Sequence, residues 1–279
     1  MLVTLNDILQ KAENGKYAVG LFNMLNLETA RGIIEAAEAE RSPVILGVAE
    51  VHLPIVPFDY ASCIMRKIAA DATVPVCLHF DHGTDSAKIL AALKAGFTSV
   101  MYDGSALPYE ENVAATREIC SAAHAFGASV EAELGHVGGA EDAAESELPD
   151  EDEYTDSAQV VDFVEKTVVD ALAVAIGTAH GQYIRKPRLD IRRLAEIYRV
   201  SPVPLVLHGG SGLSEEDFIN TVSNGIRKVN ICTELCLAAR RAYQEASSFE
   251  QGVTSAVAAV RETAAARMRL FGSSGKADV

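Results

Sequence analysis

The sequence predicts a (β/α)8 TIM barrel, and three observations carry that expectation. Short apolar runs alternate with helix-period stretches eight times along 279 residues. Glycine or asparagine often marks the passage from helix to strand, as in KAGFTSV, HAFGASV and SNGIRKV, which is helix C-cap chemistry. Residues capable of chemistry gather where the apolar runs stop, and barrel sites form at the carboxyl ends of strands. Repeated βα units imply parallel strands with right-handed crossovers, and eight of them imply closure.

The chain begins with MLVTLNDILQKAENGKYAVG, an amphipathic helical pattern leading into a strand. Strand patterns follow at 18–22, 43–48, 76–79, 99–101, 129–133, 172–177, 204–207 and 228–231. Near-continuous Val, Leu, Ile and Ala is the pattern of a parallel strand covered on both faces. Helical patterns lie between them at 27–40, 60–70, 85–95, 110–126, 158–168, 191–198 and 215–223. Two more follow the last strand, 234–246 and an extra C-terminal helix at 254–270. The acidic stretch 135–156, after strand five, is too long for an ordinary βα connection and too polar for a core. It reads as a mobile active-site loop. No break in composition divides residues 1–279, so one barrel domain is expected.

Lys and Arg number 24 against 39 acidic residues, a formal charge of −15. That balance argues against a nucleic-acid or anionic-membrane surface, and any anionic substrate must be held by local donors. The apolar runs are far shorter than the ~20 residues of a spanning helix. The N-terminus lacks the basic-then-apolar order of a secretion signal. The five cysteines (Cys63, Cys77, Cys120, Cys232 and Cys236) have no motif spacing, so a cytoplasmic location is expected.

His82 with Asp81 ends VCLHFDHG, His180 ends LAVAIGTAHG, and His208 ends PLVLHGGSG. Three neutral imidazoles from separate strand ends could converge on one divalent metal and leave a fourth position open, the catalytic zinc pattern. The plainer reading is three unrelated histidines capping buried strands. Three of seven histidines in one local context weigh against it. Other strand ends supply Asn23, Asp103, Glu131, Glu133, Asn230 and, just beyond, Thr233. Gly181, Gly209, Gly210, Ser211 and Gly212 follow two of the histidines. Loops after strands seven and eight of a barrel often bind phosphate through backbone N–H groups.

These residues resemble the class II, metal-dependent ketose-bisphosphate aldolase family, in its fructose- and tagatose-bisphosphate branch. FNMLNLETARGIIEAAE, HFDHGTD, SVMYDGSALPYEENVAATRE, SVEAELGHVGGAED, LAVAIGTAHGQY, PLVLHGGSGLSEED, KVNICTEL and RLFGSSGKA follow the family's patterns in order, over almost the whole chain. The resemblance implies zinc on His82, His180 and His208, with Glu133 as an alternative ligand and Asp103 in a supporting or alternative metal position. It implies proton transfer at the C4 oxygen by Asp81, and at the enediolate carbon by Glu141. Gly181, Gly209, Gly210, Ser211 and Thr233 would cradle the C1 phosphate, beside a possible Na+ or K+ site. Asn230 would bond the ketose oxygens, with Asn23 near the substrate. The implied product is dihydroxyacetone phosphate, and the implied assembly a homo-oligomer, with a stabilising partner subunit an open option.

Departures concern the far end of the substrate. Cys236 stands where relatives often carry Arg or Lys for the distal phosphate, and the second βα loop reads VAEVHLPIVP, with Glu50 and His52. Arg240 and Arg241 are candidate replacements; a ketose 1-phosphate with a non-phosphate C6 group, such as a sulfonate, is the alternative. Two rivals differ in kind: a phosphosugar isomerase or epimerase, which would release no three-carbon fragment, and a non-catalytic barrel subunit.

Overall fold

The computed structural model describes residues 1–139 and 148–278. Eight parallel strands close in sequence order: β1 (Val19–Asn23), β2 (Val44–Ala49), β3 (Val76–Gly83), β4 (Ser99–Tyr102), β5 (Ser129–Leu134), β6 (Ala171–Val174), β7 (Leu205–Leu207) and β8 (Ile226–Ile231). The first and last strands pair, Leu21 opposite Asn230, so no sheet edge remains. Helices α2 (Leu27–Glu40), α3 (Phe58–Asp71), α4 (Ser86–Lys94), α5 (Tyr109–Ala125), α6 (Val160–Thr167), α7 (Ile191–Val200), α8 (Glu215–Ser223) and α9 (Thr233–Glu245) each follow one strand.

Two helices stand outside the repeat. Helix α1 (Leu5–Gly15) starts at a reciprocal Thr4–Asp7 capping box and buries Leu5, Ile8, Leu9 and Ala12, one face at helical spacing. That face packs with Val19, Leu21, Ile45, Cys77, Ala171, Ala173 and Val206. It plugs the amino-terminal end of the barrel. Helix α10 (Phe249–Phe271) packs along α2 and α9 and is longer than its sequence pattern suggested, because Ser248 caps it a full turn earlier.

The predicted sixth strand, 172–177, ends early in the structure. Thr155 returns from the preceding connection and bonds both the N–H and the carbonyl of Ala175, taking the place of a neighbouring strand. Its hydroxyl also donates to the Leu134 carbonyl. The described ends of the stretch read as a mobile loop are therefore tied to the sheet; His180 N–H likewise donates to Gly138 O at 2.8 Å.

Candidate active site and metal centre

Strand β3 resolves a conflict in its own sequence. Neighbouring residues on a strand point to opposite faces, yet Asp81 and His82 both enter the barrel mouth. The β3–β4 register shifts between Phe80 and Gly83, and His82 takes φ 47. A left-handed conformation is costly away from glycine and concentrates at functional sites. Here it turns the His82 ring toward the other two histidines.

The ring centroids of His82 and His208 lie 4.5 Å apart, His82 and His180 4.7 Å, and His180 and His208 5.7 Å. One nitrogen from each lies within 4.8 Å of the others. The remaining nitrogens of two rings are held by carboxylates. His82 Nδ1 meets Asp103 Oδ2 at 2.9 Å, and His208 Nε2 meets Glu131 Oε1 at 2.8 Å. If those nitrogens carry the protons, His82 Nε2 and His208 Nδ1 face each other through lone pairs at 2.7 Å. One cation or one proton reconciles that contact. Carboxylate-oriented imidazoles are the ordinary support of a divalent metal, so the donor set fits one.

Glu133 stands beside the three rings, its Oε2 3.8 Å from His208 Nδ1. Burial, with the Asp103 charge adding to it, pushes its carboxyl up to about 8. Val137 N–H bonds the other oxygen. Asp103 also accepts from Ser105 N–H, and although burial raises its carboxyl, His82 and Ser105 outweigh this and leave it low.

Asp81 is fully buried and accepts from two amides, Asn23 at 3.0 Å and Asn230 at 3.2 Å. Burial alone would raise its carboxyl; the charge of His82, the His79 ring at 3.6 Å and Lys228 reverse that and hold it well below the usual range. Beneath the rim lies a set that sequence reading did not assemble: His79, Glu131 and Lys228, all fully buried. Lys228 Nζ lies 2.9 and 3.0 Å from the two Glu131 oxygens and 2.7 Å from Asn230 Oδ1. Burial raises Glu131, but Lys228 and the His208 hydrogen bond bring it down to about 2. Charged residues two apart on supposedly apolar strands, 79 and 81 or 131 and 133, were the available signal.

Gly181, Gly209, Gly210, Ser211, Asn230 and Thr233 line one pocket together with His180 and Cys232. Gly209 has φ 65, and a Cβ there would sit 2.4 Å from the Ala179 carbonyl oxygen, so only glycine fits. Ser211 Oγ accepts from Cys232 N–H and Glu234 N–H at the start of α9. A groove on the other side of His82 is lined by Glu50, Leu53, Pro54, Thr84 and Lys88. Cys236 is half-buried near the start of α9, while Arg240 and Arg241 are exposed along it. Glu141 lies outside the described residues.

A carboxyl-terminal mouth with this donor set is that of a metal-dependent barrel enzyme. Comparison with known proteins narrows the class. Residues 3–276 match the family described as fructose-bisphosphate aldolase class-II. The chain is 41% identical to the fructose-bisphosphate aldolase of Geobacillus stearothermophilus, across 99% of each chain. It is 39% identical to the 6-phospho-5-dehydro-2-deoxy-D-gluconate aldolase of Bacillus licheniformis, across 99% of this chain and 96% of that one. The structure of the YdjI aldolase from Escherichia coli K12 superposes with a TM-score of 0.90 at 39% identity, covering 99% of this chain and 100% of that one. The chain belongs to the class II fructose-bisphosphate aldolase family and is an aldolase, a carbon–carbon lyase. Among the described residues no helix is long and apolar enough to cross a membrane.

Proposed function

We propose that the chain catalyses reversible aldol cleavage of a ketose 1-phosphate with an anionic group at its far end, fructose or tagatose 1,6-bisphosphate included. The products are dihydroxyacetone phosphate and an aldehyde. The observation that carries this reading is the sharing of His180 between the three-histidine cluster and the glycine-lined pocket. That sharing supports a phosphate site directly against the reaction centre. Zn2+, held by His82, His180 and His208 with Glu133 as an alternative ligand, would act as a Lewis acid on the ketose oxygens.

The remaining steps are the chain's own. Asp81, ionised and aimed by Asn23 and Asn230, takes the proton of the C4 hydroxyl in cleavage and returns it in condensation. Asn230 spends its amide on Asp81 and Lys228, so it orients the acid–base carboxylate as well as bordering the substrate pocket. Glu141 exchanges the proton at the three-carbon fragment. The C1 phosphate rests on the backbone of Gly181, Gly209 and Gly210 with Ser211 and Thr233, at the start of α9, where N–H groups favour an anion. A Na+ or K+ ion beside the phosphate belongs to the same reading. The aldehyde half takes the groove past His82, where Lys88 offers its ammonium; Glu50, held by Thr84 and Asp85 N–H, fixes that lysine at 2.7 Å.

Chelation should abolish cleavage and added Zn2+ restore it, while borohydride with substrate should leave the enzyme active. Inactivation by borohydride would point to a Schiff-base lysine and overturn the reading. The second reading, a ketose 1-phosphate with a sulfonate or other non-phosphate C6 group, is favoured by Cys236 at the usual cation position. A panel of ketose 1-phosphates varied at C6 and C4 separates the two. Cytoplasmic location and assembly as a homo-oligomer, with or without a stabilising subunit, complete the proposal; sedimentation of the purified chain tests the assembly.

A further inference from the structure

We infer that Lys228 is a positioning residue that sets both working parts of the site at once: His208 through Glu131, and Asp81 through Asn230. The inference rests on the metal-dependent reading given above. Lys228 is paired in the sheet with Val19 and Val206, inside the apolar lower layer of the barrel. Its stem crosses that layer and its ammonium emerges among the carboxylates above, as long basic side chains do at apolar boundaries.

Every contact there has a direction. The ammonium only donates, so Asn230 must present its carbonyl oxygen to Lys228 at 2.7 Å and its NH2 to both Asp81 oxygens at 3.2 Å. Lys228 and Asp81 select the same amide orientation from opposite sides, and without the lysine only the carboxylate side would hold it. The flipped amide would set an oxygen against the Asp81 carboxylate. On the other arm, Lys228 bonds the carboxylate that receives His208 Nε2 at 2.8 Å. That fixes the proton on Nε2 and leaves Nδ1 as the lone-pair donor facing His82 Nε2. The lysine is fully buried with its donors directed at Glu131 and Asn230, so it is no nucleophile toward a ketone.

The test compares Lys228→Met, Glu131→Gln and the double variant. Zinc affinity is read by competition with a chromophoric chelator, and turnover separately at saturating Zn2+. Lys228→Met should weaken zinc about 10–100-fold, the range for metal-supporting partners, and also cut saturated turnover at least about tenfold through the Asp81 arm. Glu131→Gln should weaken zinc comparably but cut saturated turnover less than Lys228→Met does, since Asn230 keeps its lysine. If the unpaired Glu131 prevents Lys228→Met from folding, the double variant removes both buried charges and should show both defects. Wild-type zinc affinity and turnover in Lys228→Met or in the double variant would overturn the inference. So would equal turnover defects in Glu131→Gln and the double variant, which would leave only the Glu131 arm. A wild-type chain that binds zinc but releases no three-carbon phosphate would instead sink the proposed substrate, and the zinc comparison would still decide the metal arm.

Discussion

The two ends of the barrel interior are built on opposite principles. At the amino-terminal end, Leu5, Leu9, Val19, Ile45, Val206 and their neighbours fill the space with apolar side chains around α1. At the carboxyl-terminal end β3 and β7, two to four residues beyond Cys77 and Val206, carry His79, Asp81 and His208 into an equally buried layer, which Glu131 and Glu133 of β5 and Asn230 of β8 complete. The lower end gains by removing apolar surface from water, about 25 cal/mol per Å2. The upper end gives up that gain and must pair every charge, because burying ions costs more than their attraction commonly returns. Stability is thus concentrated below and chemistry above. Lys228 is the side chain that belongs to both.

This contrast can be broken or sharpened from its largest expected effect downward. His180→Ala should lose metal and activity together, read by metal analysis of the purified variant alongside the cleavage assay. Asp81→Ala should keep its metal and lower turnover by about 10²–10⁴-fold, the share of a positioned acid–base group; full activity would remove Asp81 from its role. At the opposite end, Leu9→Ala should cost about 2–5 kcal/mol of stability in denaturant titration, as buried leucine truncations do. Turnover of the folded fraction should be unchanged, and a loss of turnover at native temperature would show that the two ends are not separate. Lys88→Ala should raise KM about tenfold for a C6-phosphorylated ketose, the worth of one charge-assisted bond. A substrate with a plain C6 hydroxyl should be unaffected, and equal effects on both would return Lys88 to a surface ion pair.

The smallest effect belongs to the lower rim, where Glu13 of α1 meets Arg227 at 2.7 Å and Tyr198 at 2.5 Å. Partial burial raises its carboxyl, but Lys16, Tyr198 and Arg227 together hold it below the ordinary 4.5. A lowered folded-state pKa gives stability that is present above the unfolded value and lost as pH falls through the folded one. Wild type should therefore exceed Glu13→Gln in melting temperature at neutral pH, and the gap should shrink as pH drops below about 4.5. A gap that stays constant with pH would mean that packing, not charge, ties α1 to the barrel.

Much of this was legible in the chain. The alternation of apolar runs and helical patterns gave the eight units, because side-chain period is a local consequence of backbone geometry. His82, His180 and His208 stood out because each ends a strand, and strand ends are visible as the point where apolar residues stop. The resemblance implied places for Asp103 and Glu133 near a metal, and in the structure they lie against His82 and His208 of the histidine cluster. His79, Glu131 and Lys228 were individually visible but not as a group. Their sequence separations, 52 residues from His79 to Glu131 and 97 from Glu131 to Lys228, carry no local pattern. The early end of β6 was hidden for the same reason, since Thr155 acts on Ala175 from 20 residues away.

The sequence by itself determined which residues form strands and helices, which strand ends carry chemistry, and the family to which that order of motifs belongs. Only the tertiary structure decided that His82 leaves the strand alternation through a left-handed turn, and that Asn230 presents its NH2 to Asp81. It alone joined Lys228 to Glu131 across the barrel. Periodicity is set by each residue's own backbone, whereas these three outcomes depend on the stagger between strands, which is fixed only when β1 pairs with β8 and the barrel closes.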